Sequence, residues 1–161
     1  MIAALVFSGV ALLPSSRPPV LALPYQPSPT PAAPTDSPGP NTIIVDRGGS
    51  DQFVVQATVN GVELEFLIDS GASDIVLSPA AAARVGFRRS QLRFSGTAAT
   101  ANGDGRLAPV TLRELRVGQF SQRSVPAVVN NAAMPISLLG MSFLGRLDGW
   151  EAKGDHLMLY W

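Results

Sequence analysis

The chain has 161 residues, a length that fits one compact domain with some residues left over. Its 12 basic and 12 acidic residues cancel, so the net charge gives no support to nucleic-acid binding or to recruitment by anionic lipid. It has no cysteine and one histidine, His156, which excludes a disulfide framework, a thiol nucleophile and a His–His or cysteine-based metal site and disfavours a Ser-His-Asp triad.

The first 13 residues form an apolar segment that ends at Pro14. This segment is shorter than the roughly 20 residues that a membrane-spanning helix needs. Its length suits the apolar core of a signal peptide, although no Lys or Arg precedes it. We predict that residues 1–13 are a signal peptide or the remnant of a membrane anchor, with a buried core helix as the alternative.

Residues 14–40 hold 10 of the 14 prolines of the chain, mixed with Ser, Thr and Ala. This composition disfavours helix and sheet and favours an extended, polyproline-like linker. A ligand for proline-recognising domains is the alternative. An apolar segment, a spacer and then a folded domain, which we place at residues 41–161, together indicate export or membrane tethering.

From Thr42 onward, short runs of β-forming residues are separated by Gly, Asn and Asp. The run at residues 53–59 predicts a strand, and Asn60-Gly61 predicts a tight hairpin turn. The alternating run that follows predicts a returning strand, which ends in the apolar residues 66–68. This hairpin delivers the chain to Asp69.

Asp69 lies where that strand runs into a tight turn, and a second apolar strand at residues 75–77 follows. A carboxylate in such a place is costly to bury unless it is hydrogen-bonded, paired or protonated. Ser70 supplies a hydroxyl, and Gly71 lets the backbone bring its N–H close to the carboxylate. A turn-capping aspartate is the plain structural interpretation, but the apolar frame on both sides favours a functional one.

Beyond this turn, Ser78 and Pro79 predict the N-cap and first position of a short helix. Further strand-like runs follow at residues 92–100, 106–115, 125–129, 150–152 and 156–160. The polar residues 101–105 predict a hairpin tip, and residues 141–147 predict a second short helix. Many short strands with turns every 8 to 12 residues or so predict a closed or sandwiched all-β domain.

Residues 66–77 and residues 136–144 contain two motifs, and these resemble motifs of the retropepsin-like aspartic proteases of clan AA, in particular the bacterial single-domain members. Residues 66–77 match the pattern apolar-apolar-Asp-[Ser/Thr]-Gly-[Ala/Ser]. Residues 136–144 contain Leu139 and Gly140, which match the apolar-apolar-Gly element that packs behind the catalytic loop of that family. The two motifs place the resemblance over roughly residues 50–161.

The resemblance implies a small closed β-barrel of the acid-protease type and an aspartic endopeptidase that needs no cofactor and no metal. Asp69 would be the catalytic carboxylate, and Ser70, Gly71 and Ala72 would support it. Because the chain carries one Asp-Ser-Gly motif, we expect the second aspartate to come from a second copy. The paired Asp69 carboxylates of this homodimer would activate a water.

The resemblance also places a substrate-covering flap at Asn102, Gly103, Asp104 and Gly105. Such a flap closes over a peptide that is bound as an additional extended strand. Asp104 would make this tip more polar than the apolar, glycine-rich tips of viral relatives. An ordinary surface hairpin is the alternative. Asp74 fits either the wall of the cleft or a solvated turn.

We therefore expect a protein or peptide substrate, a homodimer, no nucleic-acid partner and, if the apolar segment is retained, a membrane tether. The expected location is the bacterial envelope, either anchored in the inner membrane or in the periplasm. One alternative is a catalytically idle envelope β-domain that binds extended peptides, with Asp69 as a structural turn residue. Another is a purely structural domain on a stalk, which would neither cleave nor bind peptides.

Overall fold

The computed structural model describes residues 41–49, 51–100 and 103–161. The apolar segment at residues 1–13 and the proline-rich residues 14–40 lie outside these described residues, so both assignments stay predictions. Within the described residues, no helix is both long enough and apolar enough to span a membrane.

Strands dominate this part of the chain. In chain order they are β1 (Thr42–Asp46), β2 (Val54–Val59), β3 (Val62–Ile68), β4 (Ile75–Leu77), β5 (Gly96–Thr100), β6 (Gly103–Val117), β7 (Phe120–Asn130), β8 (Ser137–Leu139), β9 (Gly149–Lys153) and β10 (His156–Tyr160). The helical elements of the same residues are short, namely α1 (Pro79–Arg84), α2 (Met141–Leu144) and a 3₁₀ turn, Arg89–Gln91. The predicted all-β class with one or two short helices is confirmed.

Six strands close into a barrel in the order β2-β3-β8-β4-β7-β6 and back to β2. Two of the pairs, β3 with β8 and β4 with β7, are parallel, and the others are antiparallel. The ring closes where Thr58 and Val59 of β2 pair with Arg116 and Leu115 of β6. Closure leaves no unpaired barrel edge. The predicted small closed barrel is therefore confirmed.

The core of the barrel follows the two-residue period of its strands. On β3, Glu63 and Glu65 are exposed, while Leu64 and Phe66 are buried. Phe66 is fully buried, and burial of such a side chain contributes about 1.5–3 kcal/mol. Other large side chains that are fully buried are Ile75, Leu77, Leu112, Leu115, Leu139, Phe143 and Leu144. The strands on either side of Asp69, β3 and β4, are thus anchored by side chains that are buried in the barrel core.

A second, three-stranded antiparallel sheet has the order β1-β10-β9. Val45 of β1 and Leu157 and Leu159 of β10 are buried and belong to the same hydrophobic core as the barrel. Phe120 of β7 meets Trp161 edge to face, with ring centroids 6.0 Å apart. The predicted pairing of residues 150–152 with residues 156–160 is confirmed by this sheet.

The second helix is shorter than predicted. The helix α2 ends at Leu144 and not at Leu147, because Gly145 follows as its C-cap. The N–H of Leu147 donates to the carbonyl of Leu144 at 3.2 Å, so the chain continues in tight turns rather than in α-helix. The strand predicted from residue 92 also begins later, at Gly96, because the 3₁₀ turn and the irregular residues 92–95 precede it.

Ser78 caps α1 as the sequence predicts. Its Oγ accepts the Ala81 N–H at 3.1 Å, and the side chain is buried. We expect Ser78→Ala to lower the free energy of unfolding by about 1–2 kcal/mol, because a buried helix N–H loses its partner. Urea unfolding measures this loss. Ser95→Ala, at an exposed serine outside helix and strand, is the control, and equal effects of both variants would contradict the cap.

Candidate active site

Asp69 follows β3 at the point where the parallel β3–β8 pair ends. Its backbone N–H donates to the carbonyl of Leu139 at 3.1 Å, which extends the ladder by one bond. The Ala72 N–H donates to the carbonyl of Asp69 at 3.1 Å and closes the turn. Asp69 is half-buried, whereas Ser70 and Gly71 are exposed. The loop is therefore rigidly attached to the barrel yet open to a partner or substrate.

The carboxylate of Asp69 has a fixed orientation. Its Oδ1 accepts the Gly71 N–H at 2.9 Å. A Cβ on Gly71 would lie 3.1 Å from the same oxygen, so a side chain there would crowd the carboxylate. With Oδ1 held by the backbone, the second carboxylate oxygen is left for other chemistry.

Gly140 packs directly against the loop at residues 69–74, which we call the Asp69 loop. A Cβ at this position would lie 2.5 Å from the carbonyl oxygen of Ala72 and closer still to that of Asp74. Because backbone atoms cannot move aside as a flexible side chain can, only glycine fits here. Leu139, just before it, is fully buried. The structure thus places the two sequence motifs against each other.

The start of α2 holds the loop through hydrogen bonds. The N–H groups of Met141 and Ser142 donate to the carbonyls of Ala72 and Ser73, each at 2.8 Å. The Ser142 hydroxyl accepts the N–H of Ile75 at 3.0 Å. Sequence reasoning missed Ser142 because its partner lies 67 residues away. The sequence does carry one signal for this role, which is a small hydroxyl residue two positions after Gly140.

The predicted flap corresponds to the β5–β6 hairpin. Gly103 pairs with Thr100, so Gly103, Asp104 and Gly105 belong to the strand β6 and not to the hairpin tip. The prediction that Asp104 lies at the tip is therefore wrong, because backbone pairing continues further than the polar composition suggested. Asn102 lies outside the described residues.

The base of this hairpin is anchored to the barrel. Gly105 is buried, and a Cβ on it would lie 2.7 Å from Oδ1 of Asn130. The Arg106 N–H donates to Oδ1 of Asn131 at 2.7 Å, and its guanidinium donates to the carbonyl of Phe94 at 2.6 Å. These contacts hold the hairpin at its foot.

Asp74 lies at the wall of an open groove of about 450 Å³ on the outer face of the barrel. The other lining residues come from β6 and β7 and are Pro109, Val110, Thr111, Pro126, Ala127 and Val128. Asp74 is the acidic residue among them and is exposed. Asp69 does not line this groove, so the groove by itself is not the reaction centre.

Comparison with known proteins identifies a family that includes both the barrel strands and the Asp69 loop. Residues 55–146 match the family model described as "gag-polyprotein putative aspartyl protease". The match covers more than half of the chain and includes both motifs. The chain belongs to the retropepsin-like aspartic proteases. Retropepsin-like structure thus extends from β2 to α2, the segment that carries and braces Asp69.

Two curated relatives of this retropepsin-like chain are uncharacterised. One, from Rickettsia prowazekii (strain Madrid E), is 38% identical over 118 residues, which are 73% of this chain and 50% of the relative. The other, from the cobV 5′ region of a Sinorhizobium species, is 36% identical over 126 residues, which are 78% and 54%. The chain therefore spans about half the length of the curated relatives it matches.

Two solved structures share the fold. A retropepsin-like aspartic protease from Rickettsia conorii is 34% identical, with a TM-score of 0.66 over 73% of this chain and 89% of that one. EIAV protease complexed with the inhibitor HBY-793 gives a TM-score of 0.54 over 66% of this chain and 97% of that one. Because EIAV protease and this chain are 17% identical in sequence, this similarity supports the fold alone.

Proposed function

We propose that this chain is an aspartic endopeptidase that hydrolyses peptide bonds with a water held between two Asp69 carboxylates, one from each of two copies. The observation that carries this proposal is the Asp69 loop. Its carboxylate accepts the Gly71 N–H, and Gly140 packs behind it, while the neighbouring Ser70 is exposed. A carboxylate that serves only as a turn cap does not need such bracing from a distant part of the chain.

Two carboxylates in close contact share one proton, because like charges at short range cannot both be ionised, as is well known for aspartic-protease pairs. The ionised Asp69 takes a proton from the water, whose oxygen attacks the peptide carbonyl carbon. The protonated Asp69 donates its proton to the carbonyl oxygen. When the C–N bond breaks, the Asp69 that took the proton of the water gives it to the leaving nitrogen, and a hydroxyl of the tetrahedral carbon returns a proton to the other Asp69. A carboxylic acid and an amine are released, and the pair again shares one proton. The hydrogen bond from Gly71 keeps each carboxylate in place during these transfers.

The proposed substrate is a protein or peptide that binds as an extended strand. Support comes from β5, which is the outermost strand of the seven-stranded sheet and, among the residues that the structure describes, pairs on one side only, with β6. Its free backbone groups can pair with an extended peptide, as in β-strand addition. The anchored base at Gly105 and Arg106 would let the hairpin bend over the peptide without detaching from the barrel.

The proposed location is the cell envelope, anchored in the inner membrane or free in the periplasm. Support comes from the sequence, in which the apolar residues 1–13 precede the proline-rich residues 14–40. Cell fractionation and the mass of the mature N-terminus test it. Recovery of the whole chain in the cytosol with an intact N-terminus would contradict the proposal.

Mixing of subunits tests whether two copies supply the carboxylates. The full chain is mixed with an excess of about ninefold of Asp69→Asn protein, and subunits are allowed to exchange. Hydrolysis per wild-type chain should then fall about tenfold, because almost every wild-type subunit is paired with a variant subunit that lacks the second carboxylate.

Dilution is the companion measurement for the same proposal. Activity per chain should fall below the dimer dissociation constant, because separated chains carry one carboxylate each. An inert protein at the same excess is the control for the mixing experiment. Unchanged activity in both experiments would place the whole catalytic site in one chain. No hydrolysis of any peptide, with peptide binding retained, would support the idle binding domain instead.

A further inference from the structure

The buried face of the hairpin formed by β6 and β7 changes sides part-way along. On β6, Leu112 is buried, but the next buried residue is Leu115 and not residue 114. On β7, Val125 is buried, yet Arg123, two residues before it, is exposed. Side chains two positions apart on a regular strand share a face, so residues 114 and 123 would be expected to face the core. Instead Glu114, which pairs with Arg123, is only half-buried, and both lie toward the outer surface.

Two backbone features coincide with this change. Ser124 has a φ of +53°, in the left-handed region that residues other than glycine rarely adopt. Oδ1 of Asn60 accepts the N–H of Arg113 at 2.8 Å and that of Glu114 at 3.2 Å. Consecutive N–H groups of a regular strand point in opposite directions, so one oxygen accepts both only where the strand is kinked. Asn60, in the turn between β2 and β3, therefore holds the kink of β6 in place.

The kink presents two arginines to one open groove. This groove has a volume of about 420 Å³ and is lined by Asn60, Gly61, Arg113, Glu114 and Arg123. Arg113 and Arg123 are both exposed. Kinked strands and left-handed residues are frequent at ligand sites, where they re-aim a side chain. The backbone here thus favours a binding role for the two guanidinium groups.

The charges at this groove do not balance. The Glu114 carboxylate accepts the Ser121 hydroxyl at 3.0 Å and the Arg116 guanidinium at 3.3 Å. These two contacts, the hydroxyl first, hold the pKa of that carboxyl below its ordinary value, and Arg123 adds a smaller contribution from a greater distance. The ionised Glu114 is therefore matched by Arg116. Among the described residues, neither Arg113 nor Arg123 lies within ion-pair distance of a carboxylate.

Two positive charges consequently remain at the groove. The guanidinium of Arg113 has one long hydrogen bond, 3.5 Å, to the carbonyl oxygen of Asn60, which is a neutral acceptor. Planar guanidinium groups form bidentate pairs with phosphate and carboxylate oxygens. A single carboxylate would match one of the two arginines, whereas a phosphate monoester carries a charge of about −1.5 to −2 at neutral pH.

We propose that the groove between Arg113 and Arg123 binds a phosphate monoester. The phosphate lies between the two guanidinium groups and accepts hydrogen bonds from both. The groove volume is within the range of small-molecule sites, which leaves room for the organic part of the ligand.

This site is separate from the proposed reaction centre. The Asn60-Gly61 turn precedes β3, and Asp69 follows its other end. The seven residues of β3 span roughly 23 Å, at about 3.3 Å for each residue. The phosphate site therefore stands or falls independently of peptide hydrolysis at Asp69.

Isothermal titration calorimetry of the full chain with glycerol 3-phosphate tests the site. We expect a dissociation constant of about 1 mM or lower at low salt, because charge-assisted hydrogen bonds from both arginines contribute. Arg113→Gln and Arg123→Gln should each raise this constant about tenfold, and the double variant should have no measurable affinity. Arg93→Gln, at an exposed arginine outside helix and strand, is the control and should leave the constant unchanged.

Amide NMR spectra locate the ligand without any substitution. Glycerol 3-phosphate should shift the signals of Gly61, Arg113 and Arg123, and it should leave those of residues 69–72 in place. Shifts confined to other parts of the chain would overturn the proposal. A loss of affinity in Arg93→Gln equal to that in the groove variants would also overturn it, because it would show general attraction of anions to arginine.

Two further ligands define the chemistry and its source. Acetate has a single negative charge and should bind about tenfold more weakly or less, so equal affinity would refute a phosphate monoester site. Phosphatidylcholine vesicles that contain phosphatidic acid present the same phosphate group on a lipid. Co-sedimentation with these vesicles that requires Arg113 and Arg123, without binding of glycerol 3-phosphate, would support the site and assign its ligand to a membrane. Binding of neither ligand would refute the proposal.

Discussion

Asp69→Asn is expected to abolish peptide hydrolysis and to leave the fold intact. The amide cannot take a proton from water, and loss of a general base of this kind costs about 10²–10⁴-fold in rate or more. Its side-chain oxygen can still accept the Gly71 N–H that now binds Oδ1, so the loop keeps its shape. Hydrolysis of a mixed peptide library by the full chain measures the loss, and thermal unfolding checks the fold.

Asp148→Asn is the matched control for this substitution. Asp148 is an exposed carboxylate for which the structure gives no side-chain hydrogen bond or ion pair, so its neutralisation should leave hydrolysis unchanged. Full activity in a folded Asp69→Asn protein would refute the assignment of the chain as an aspartic protease. An equal loss in both variants would point to a general effect of charge and not to a reaction at Asp69.

Gly140→Ala is expected to have the largest effect on stability. The added methyl carbon would lie 2.5 Å or less from two backbone carbonyl oxygens, those of Ala72 and Asp74. Relief requires the loop or α2 to move, which breaks the bonds from Met141 and Ser142. We expect a loss of about 3 kcal/mol or more in unfolding free energy, at the upper end for overpacking.

Urea unfolding measures that loss, and hydrolysis should fall with it because the Asp69 loop is displaced. Gly49→Ala is the control, since a Cβ there meets no atom within 4 Å and the residue has no positive φ. Wild-type stability in Gly140→Ala would mean that the loop adapts easily. The close packing of Gly140 would then not be what holds the Asp69 carboxylate in place.

Most local elements were predictable because their signals are local. Asn60 and Gly61 both have positive φ in the hairpin turn, as their side chains favour. Ser78 and Pro79 begin α1, and alternating residues on β3 give its buried face. The Asp69 turn was also recognisable, since an apolar strand, a carboxylate and a glycine stand next to one another in sequence.

Predictions of elements were wrong where the deciding contact is distant in sequence, or where two backbone conformations are close in energy. The polar composition of residues 101–105 did not indicate that β6 begins as early as Gly103, where it still pairs with β5. Helix propensity did not show that Gly145 ends α2 while the next residues keep i→i+3 hydrogen bonds. The role of Ser142 was hidden because Ile75, its partner, belongs to the other motif.

The sequence alone determined the strand-forming runs, the hairpin turns, the helix cap and the identity of the Asp-Ser-Gly loop, because each depends on neighbours a few residues away. The tertiary structure decided which strands are adjacent. The parallel pairs β3–β8 and β4–β7, and the closure of β6 onto β2, join residues more than 50 positions apart. Backbone hydrogen bonds are the same for any strand, so only the packing of the whole core selects these partners and brings Gly140 against the Asp69 loop.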